Sequence, residues 1–269
     1  MGRRLVYILL MILSILFLFP VIATLTGSFM SSSEVGLTYN EGSITLIPAK
    51  ITISQYYELL IEKYRYLNMF WNSVKLSVSI TILHVVIAVT SAYVFAKVEF
   101  KGRNTLFFIY IVVMMMPFQV TLLPNYIQAR FLGTYDTYWA IILPGIFAPF
   151  GVFLLRQFMK YIPNEFIEAV SIESDSVFDI LKIAIIPAIK PGIIALCVLT
   201  FAENWNMVEQ PLVLMENTLK YPLSIALNSI IERSTDIAFA GSIVFIIPIV
   251  ILYFYFEEHI SEGISNMRI

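Results

Sequence analysis

Charge is scarce in this sequence: Asp, Glu, Lys and Arg make up 13% of 269 residues, about half the share of an ordinary soluble domain. That scarcity argues against a chain solvated on all sides. Cysteine is nearly absent too. Cys197 stands alone inside an apolar segment, so neither a disulfide nor a thiol-ligated metal site is supported. His84 and His259 are far apart in sequence, and each reads as a packed or interfacial histidine rather than a ligand. The net charge of −2 and the lack of any basic run give no footprint for nucleic acid. No glycine-rich phosphate loop and no nucleophile motif appears. The expectation is a chain that is not an enzyme and carries no cofactor or metal.

What is abundant is apolar sequence, 59% of the chain, with a mean hydropathy of +0.82. Mostly apolar stretches of about eighteen residues or more read as membrane spans. Six are expected, at 5–25, 76–96, 106–123, 138–155, 189–214 and 238–256. The fold class is therefore an all-α membrane protein of six transmembrane helices. Pro117 breaks the third of these spans, and Pro144, Pro149 and Pro248 fall inside later ones. Each frees backbone groups that neighbouring helices or water must satisfy, so the spans are expected to pack against protein. The start, MGRR followed by an apolar run, has the charge pattern of a signal peptide. It reads instead as a retained span, because the run is long and no Ala-x-Ala site follows. Residues 34–65 are polar and broken by Gly36, Gly42 and Pro48, an extracytoplasmic loop with one surface helix over 54–64. The expected division is 1–69, first span and loop, and 70–269, the membrane core.

Orientation follows from basic residues. With the N-terminus inside, Arg3, Arg4, Lys97, Lys101, Arg103, Arg156, Lys160, Lys182, Lys190 and Arg268 fall on the cytoplasmic side, the majority of the 17 Lys and Arg. Both termini are then cytoplasmic, and the protein is a multi-pass component of the cell membrane.

One stretch departs from the apolar pattern. Residues 161–191, YIPNEFIEAVSIESDSVFDILKIAIIPAIKP, form a polar, acidic island. Pro163 suits the first position of a helix, and Glu165 and Glu168 follow where negative charge favours the dipole. Phe166, Ile167 and Val170 give that helix an apolar side. Ser176 and Asp179 match a capping box, so a second helix is expected from Val177, with Phe178, Leu181 and Ile185 on one face. An elbow between two spans is a surface that another protein can grip, although an ordinary loop has the same outline.

Glu168-Ala169-Val170, then Ser174, then Ala184, Ile186 and Pro187 stand at the spacing of the EAA loop of ABC importer permeases. That pattern is Glu-Ala-Ala, Gly, Ile and Leu-Pro, so Val170, Ser174, Ala184 and Ile186 are departures. The runs at 114–127, 136–158 and 201–214 also resemble the carbohydrate-uptake permeases related to the second membrane subunit of the maltose system. The resemblance covers roughly 72–268. It implies half of a translocation pore for a carbohydrate, an oligosaccharide, completed by a second permease subunit in a heterodimer. It further implies two ATP-binding subunits that hydrolyse ATP and an extracytoplasmic solute-binding protein. Phe166, Glu168, Ala169 and Ser174 would make the ATPase-coupling contact within the elbow 161–187. At Ser174, glycine would accept a positive φ that serine resists, so the elbow is expected to turn differently, with Glu173 and Asp175 supplying part of the contact.

Glu203 and Glu209 lie in or near the fifth span. A carboxylate at mid-bilayer costs about 2.5–3.5 kcal/mol on insertion scales and usually faces a partner or an aqueous path. On a continuous helix Glu203, Asn206 and Gln210 fall within about 60° of one another, while Glu209 points away. The strip could line the translocation path, with Trp205 stacking on a sugar, form a seam against a partner helix, or consist of interfacial groups near the outer leaflet. Residues 215–236 carry Asn217, Lys220, Tyr221, Asn228 and Arg233. The resemblance makes 217–221 the candidate contact with the binding protein, against a plain exposed loop. An importer permease for a non-sugar solute, a secondary transporter and a membrane scaffold are the rival functions. A secondary transporter would predict an internal repeat and paired intramembrane charges, and neither is visible.

Overall fold

The computed structural model describes residues 2–40, 46–174, 176–227 and 235–266. Gly42, Asp175, Asn228, Arg233 and Arg268 lie outside the described residues, as do the side chains of Arg3, Glu173 and His259. In chain order the helices are α1 (Gly2–Gly27), α2 (Ser32–Asn40), α3 (Ser54–Tyr57, continued by a π-helical Glu58–Glu62), α4 (Tyr64–Lys97), α5 (Arg103–Met114) and α6 (Phe118–Phe131). Then come α7 (Trp139–Ile146), α8 (Pro149–Lys160), α9 (Asn164–Glu173), α10 (Val177–Ala188), α11 (Lys190–Trp205), α12 (Glu209–Leu214) and α13 (Thr235–Asn266). No strand occurs among the described residues.

Four helical stretches are long and apolar enough to cross a membrane: Arg4–Gly27, Tyr64–Lys97, Trp139–Lys160 and Ile237–Glu257. Two bent pairs bring the number to six if each counts as one span. The first is the third span, broken at Pro117 as expected. At Pro117 the axis turns by 99° between α5 and α6, because proline gives no N–H to the ladder and pushes Met116 out of the helical region. The second corrects the fifth. α10 meets α11 at 82°, and α11 stops at Trp205 rather than running to residue 214. Pro211 supplies the reason: mid-helix it would lack an N–H and clash with the carbonyl four residues back, whereas in the first turn of the separate α12 it is tolerated.

The chain divides into two compact units, Met1–Trp71 with Pro222–Val250, and Asn72–Tyr221 with Ile251–Ile269. In the first, α1 exposes apolar side chains along its length, Leu5, Leu9, Ile12, Leu16 and Phe17 among them, as a lipid-facing span does. Its end is held by α3. Gln55 Nε2 donates to the carbonyls of Gly27 (3.2 Å) and Met30 (2.6 Å), and Tyr56 Oη donates to Ser28 Oγ at 2.7 Å. These bonds tie α3 to the chain just past the end of α1, where carbonyls have fewer helical partners. Leu59 packs with Ile237, Ala238 and Ala240 of α13.

In the second unit α4 is the spine. It has 34 residues, about 50 Å at 1.5 Å per residue, against about 30 Å of hydrocarbon. Leu76 and Ile80 pack with Ile141, Ile142, Leu214 and Met215. Further along, Ala88 and Ala92 pack with Val152, Leu155, Met159, Ile185 and Leu196. In a bilayer such burial is stabilised by close contact rather than by exclusion of water, and small residues let backbones approach. Arg156 is buried in this core, not at an exposed span end. Its Nε donates to the Phe95 carbonyl at 3.0 Å, and its guanidinium sits 3.6 Å above the Phe107 ring centroid.

Candidate functional site

The elbow is built as two helices, with Pro163 one position earlier than expected, as the N-cap of α9. Lys97, at the end of α4, fixes its entry: the ammonium donates to the Ile162 carbonyl and, at 3.0 Å, to Asn164 Oδ1. Ile167 and Val170 pack toward the core. Phe166 does not join them and is 62% exposed. Ile172 is 86% and Phe178 70% exposed. Glu168 and Ala169 are exposed on the same helix. The elbow thus presents apolar and acidic side chains outward while its inner side is anchored.

Ser174 corrects two expectations. Its backbone is extended, φ −154° and ψ 131°, so no left-handed turn is required and serine carries no strain there. Ser176 caps α10 by position but makes no side-chain cap bond. Instead Ser174 Oγ donates to Asp179 Oδ2 at 2.6 Å and accepts the Ser176 N–H at 3.2 Å. Within α10 the residues Ile180–Ile185 are π-helical. Leu181 and Ile185 of the expected face are buried there, together with Ile180 and Ala184, whereas Phe178 is left outside it.

The strip of Glu203, Asn206 and Gln210 does not lie on one continuous helix. Glu203 is on α11, Asn206 is its C-cap with its amide donating to the Ala202 carbonyl at 2.8 Å, and Gln210 belongs to α12. Glu203 is exposed and has no hydrogen bond or ion pair among the described residues. Trp205 is fully buried, stacked on Phe201 at 5.4 Å, so it offers no face to a sugar. Glu209 receives Gln119 Nε2 at 3.3 and 3.4 Å.

The segment 214–221 is held from two sides. Asn217 accepts the Leu219 N–H and opens the 3-10 turn Thr218–Lys220. Asn72 Nδ2 donates to the carbonyls of Leu219 (2.7 Å) and Tyr221 (3.1 Å), while Tyr138 Oη donates to Asn72 Oδ1 at 2.7 Å. On the other side Asp136 takes the N–H groups of Glu216 and Asn217 and pairs with Lys220. Those backbone donors, aided by the Lys220 ammonium, hold the Asp136 carboxyl below its ordinary pKa against partial desolvation. Its grip is therefore full above the ordinary carboxylate range and fades as pH falls through the depressed value. Lys220 and Tyr221 are half-buried and serve the loop's own structure; Asn217 and Leu219 are outward. Asp136 and Asn72 were missed in the sequence. The turn-forming run Gly133-Thr-Tyr-Asp136 was the available signal.

Helices long and apolar enough to cross a membrane, with two helix pairs sharply bent, are the architecture of a multi-pass membrane protein. The backbone matches a chain of a bacterial ABC transporter involved in the import of the acidic polysaccharide alginate, with TM-score 0.82 and 24% identity over 96% of this chain and 95% of that one. The chain belongs to the family described as binding-protein-dependent transport system inner membrane component, which matches residues 84–266. It is 31% identical over 252 residues to the arabinooligosaccharides transport system permease protein AraQ of Halalkalibacterium halodurans, covering 92% of this chain and 89% of that protein. It is 26% identical over 268 residues to the sn-glycerol-3-phosphate transport system permease protein UgpE of Brucella abortus, covering 95% and 94%.

Proposed function

We propose that the protein is one half of the translocation pore of an ATP-driven importer that takes up an oligosaccharide delivered by a solute-binding protein. The observation that carries this reading is the elbow. Phe166, Ile172, Phe178 and Glu168 stand outward on a scaffold anchored by Lys97 and by the buried side of α10, which is how a docking surface for a separate, energy-supplying subunit would be built. The chain brings no phosphate-binding loop, so two ATP-binding subunits would hydrolyse ATP beneath the elbow. A second permease subunit would complete the pore, and residues 70–269 would form the permease core. Both termini and the elbow would then be cytoplasmic, with 214–221 facing the binding protein on the opposite side. The similarity to AraQ favours an arabino-oligosaccharide or related sugar as cargo. A phosphorylated polyol is the second reading, favoured by the similarity to UgpE.

The test is purification of the assembled complex and measurement of ATP turnover with the binding protein loaded from a panel of sugars and phosphorylated polyols. Turnover stimulated by an oligosaccharide supports the first reading. Stimulation by glycerol phosphate alone supports the second, and the absence of any ATP-binding subunit in the complex removes both.

A further inference from the structure

We propose that Asp136 is a positioning residue that pre-sets the segment 214–221 for the solute-binding protein, an inference that rests on the reading of that segment given above. Asp136 has φ 56°, and it is the one non-glycine residue with positive φ among the described residues. Aspartate tolerates that left-handed conformation better than most residues, yet still disfavours it, so the surroundings must hold it there. They hold it through a single segment some eighty residues away. The Asp136 N–H donates to the Leu214 carbonyl at 3.0 Å. Its Oδ1 accepts from the N–H groups of Glu216 at 3.1 Å and Asn217 at 3.0 Å. Its backbone carbonyl accepts from Lys220 Nζ, and Oδ2 pairs with the same ammonium at 3.2 Å. Donor, carboxylate and carbonyl of one residue thus all meet one segment.

The neighbours reinforce the same grip. Tyr135 Oη donates to Glu216 Oε1 at 3.1 Å, and Arg130 lies 3.6 Å above the Tyr135 ring and 3.6 Å from Glu216. With its backbone groups taken up by Asp136 and Asn72, the segment presents Asn217 and Leu219 outward without needing to order itself on binding. Pre-organisation of this kind strengthens association by removing an entropic loss. Asp136 should therefore govern how tightly the binding protein engages, not how fast the engaged complex turns over.

The test uses the full complex in nanodiscs with its purified binding protein. Two quantities are read: hydrogen exchange at the Glu216 and Asn217 amides, and the binding-protein concentration for half-maximal ATP turnover. Asp136→Ala should speed exchange at both amides and raise the half-saturating concentration by about tenfold, with the maximal rate retained. Asp136→Asn, which keeps an acceptor oxygen and tolerance of positive φ, should restore most of both. Leu219→Asp tests the underlying reading. If Leu219→Asp raises the half-saturating concentration and Asp136→Ala does not, the segment meets the binding protein but the positioning role is overturned. If neither changes it, the reading of the segment fails and the role fails with it. Unchanged exchange in Asp136→Ala overturns the clamp itself. Should Asp136→Ala fail to assemble, Lys220→Met removes one tie, and the same rise, smaller, is expected; its absence overturns the proposal.

Discussion

His84 Nδ1 lies 3.1 Å from the carbonyl oxygen of Ile146, at the point where α7 ends and α8 has yet to begin. Pro149 opens α8 and cannot donate backward, so the break leaves carbonyls of α7 without their helical partners. The imidazole, reaching across from α4, satisfies one of them inside the core. Gly151 makes room for it, since a Cβ there would come within 2.3 Å of His84 Nε2 and 3.0 Å of Ala88 Cβ. Gly151→Ala should therefore displace the ring and destabilise the protein by about 1–3 kcal/mol, as overpacking does. Thermal denaturation in detergent measures this, with Gly36→Ala as the control because nothing lies within 4 Å of its added carbon. Equal melting of the two variants would show that the ring moves aside freely.

The elbow's side of the membrane is open to chemistry. Ala169 is exposed and hydrogen-bonded through its backbone only within α9, so Ala169→Cys disturbs less than a cysteine at Ser174, whose hydroxyl is engaged. With Cys197→Ser as background, Ala169→Cys should resist an impermeant thiol reagent in intact cells and react after permeabilisation when the subunit is expressed without ATP-binding subunits to cover the elbow. Labelling in intact cells would put the elbow outside and end the ATPase-docking reading.

Coupling depends on Glu168 and Phe166. Reversing a charge at a docking contact leaves its partner unpaired, which costs about 2–5 kcal/mol and weakens association by roughly 30- to 5,000-fold. Glu168→Lys and Phe166→Asp should each abolish uptake while the subunit inserts at normal levels, because both side chains are exposed in the isolated chain. Membrane abundance by blotting and uptake of labelled cargo separate the two effects. Normal uptake by both variants would reduce the elbow to a loop.

Much of the architecture was legible because it is written locally. The apolar runs, the proline at 163 and the acidic first turn announce spans and elbow in adjacent residues. What escaped was of two kinds. The stop after Trp205 lies inside apolar sequence, where hydropathy cannot tell one helix from two, and although Pro117 is expected to break the third span, nothing local gives its 99° angle. The π-helical Ile180–Ile185 changes the period itself, so an assumed 100° per residue misplaced Phe178. The clamp of Asp136 on Glu216 and Asn217 joins residues distant in the chain, and no local pattern encodes it.

Ser174 bears on how the elbow is braced. Its extended backbone needs no glycine, and its hydroxyl ties the start of α10 to Asp179. Ser174→Gly should loosen that turn by about 1 kcal/mol, the net worth of a hydrogen bond plus the freedom glycine adds. Hydrogen exchange across the first turn of α10 should accelerate several-fold. Slower exchange in Ser174→Gly would mean that the chain prefers a left-handed turn there after all.

Glu203 carries the last prediction. It is exposed in the last turn of α11, one helix break away from Gln210, and a carboxylate is costly wherever lipid surrounds it. Away from the membrane–water interface it would have to meet either an aqueous path or another subunit. On a path it would accept weakly from hydroxyls of the cargo, because a conducting route has to release what it holds. Glu203→Gln keeps the shape and removes the charge. If Glu203 faces the path, that substitution should change which cargo is carried, or the number of ATP molecules turned over per cargo, with the yield of assembled complex unaltered. If it seals a seam, the yield should fall and the selectivity of the surviving complex should stay the same. The two outcomes are separable in one preparation, since yield is read before function. Because Asn206 is folded back on Ala202 and Trp205 is buried, Glu203 would have to act in such a path without either of its expected neighbours.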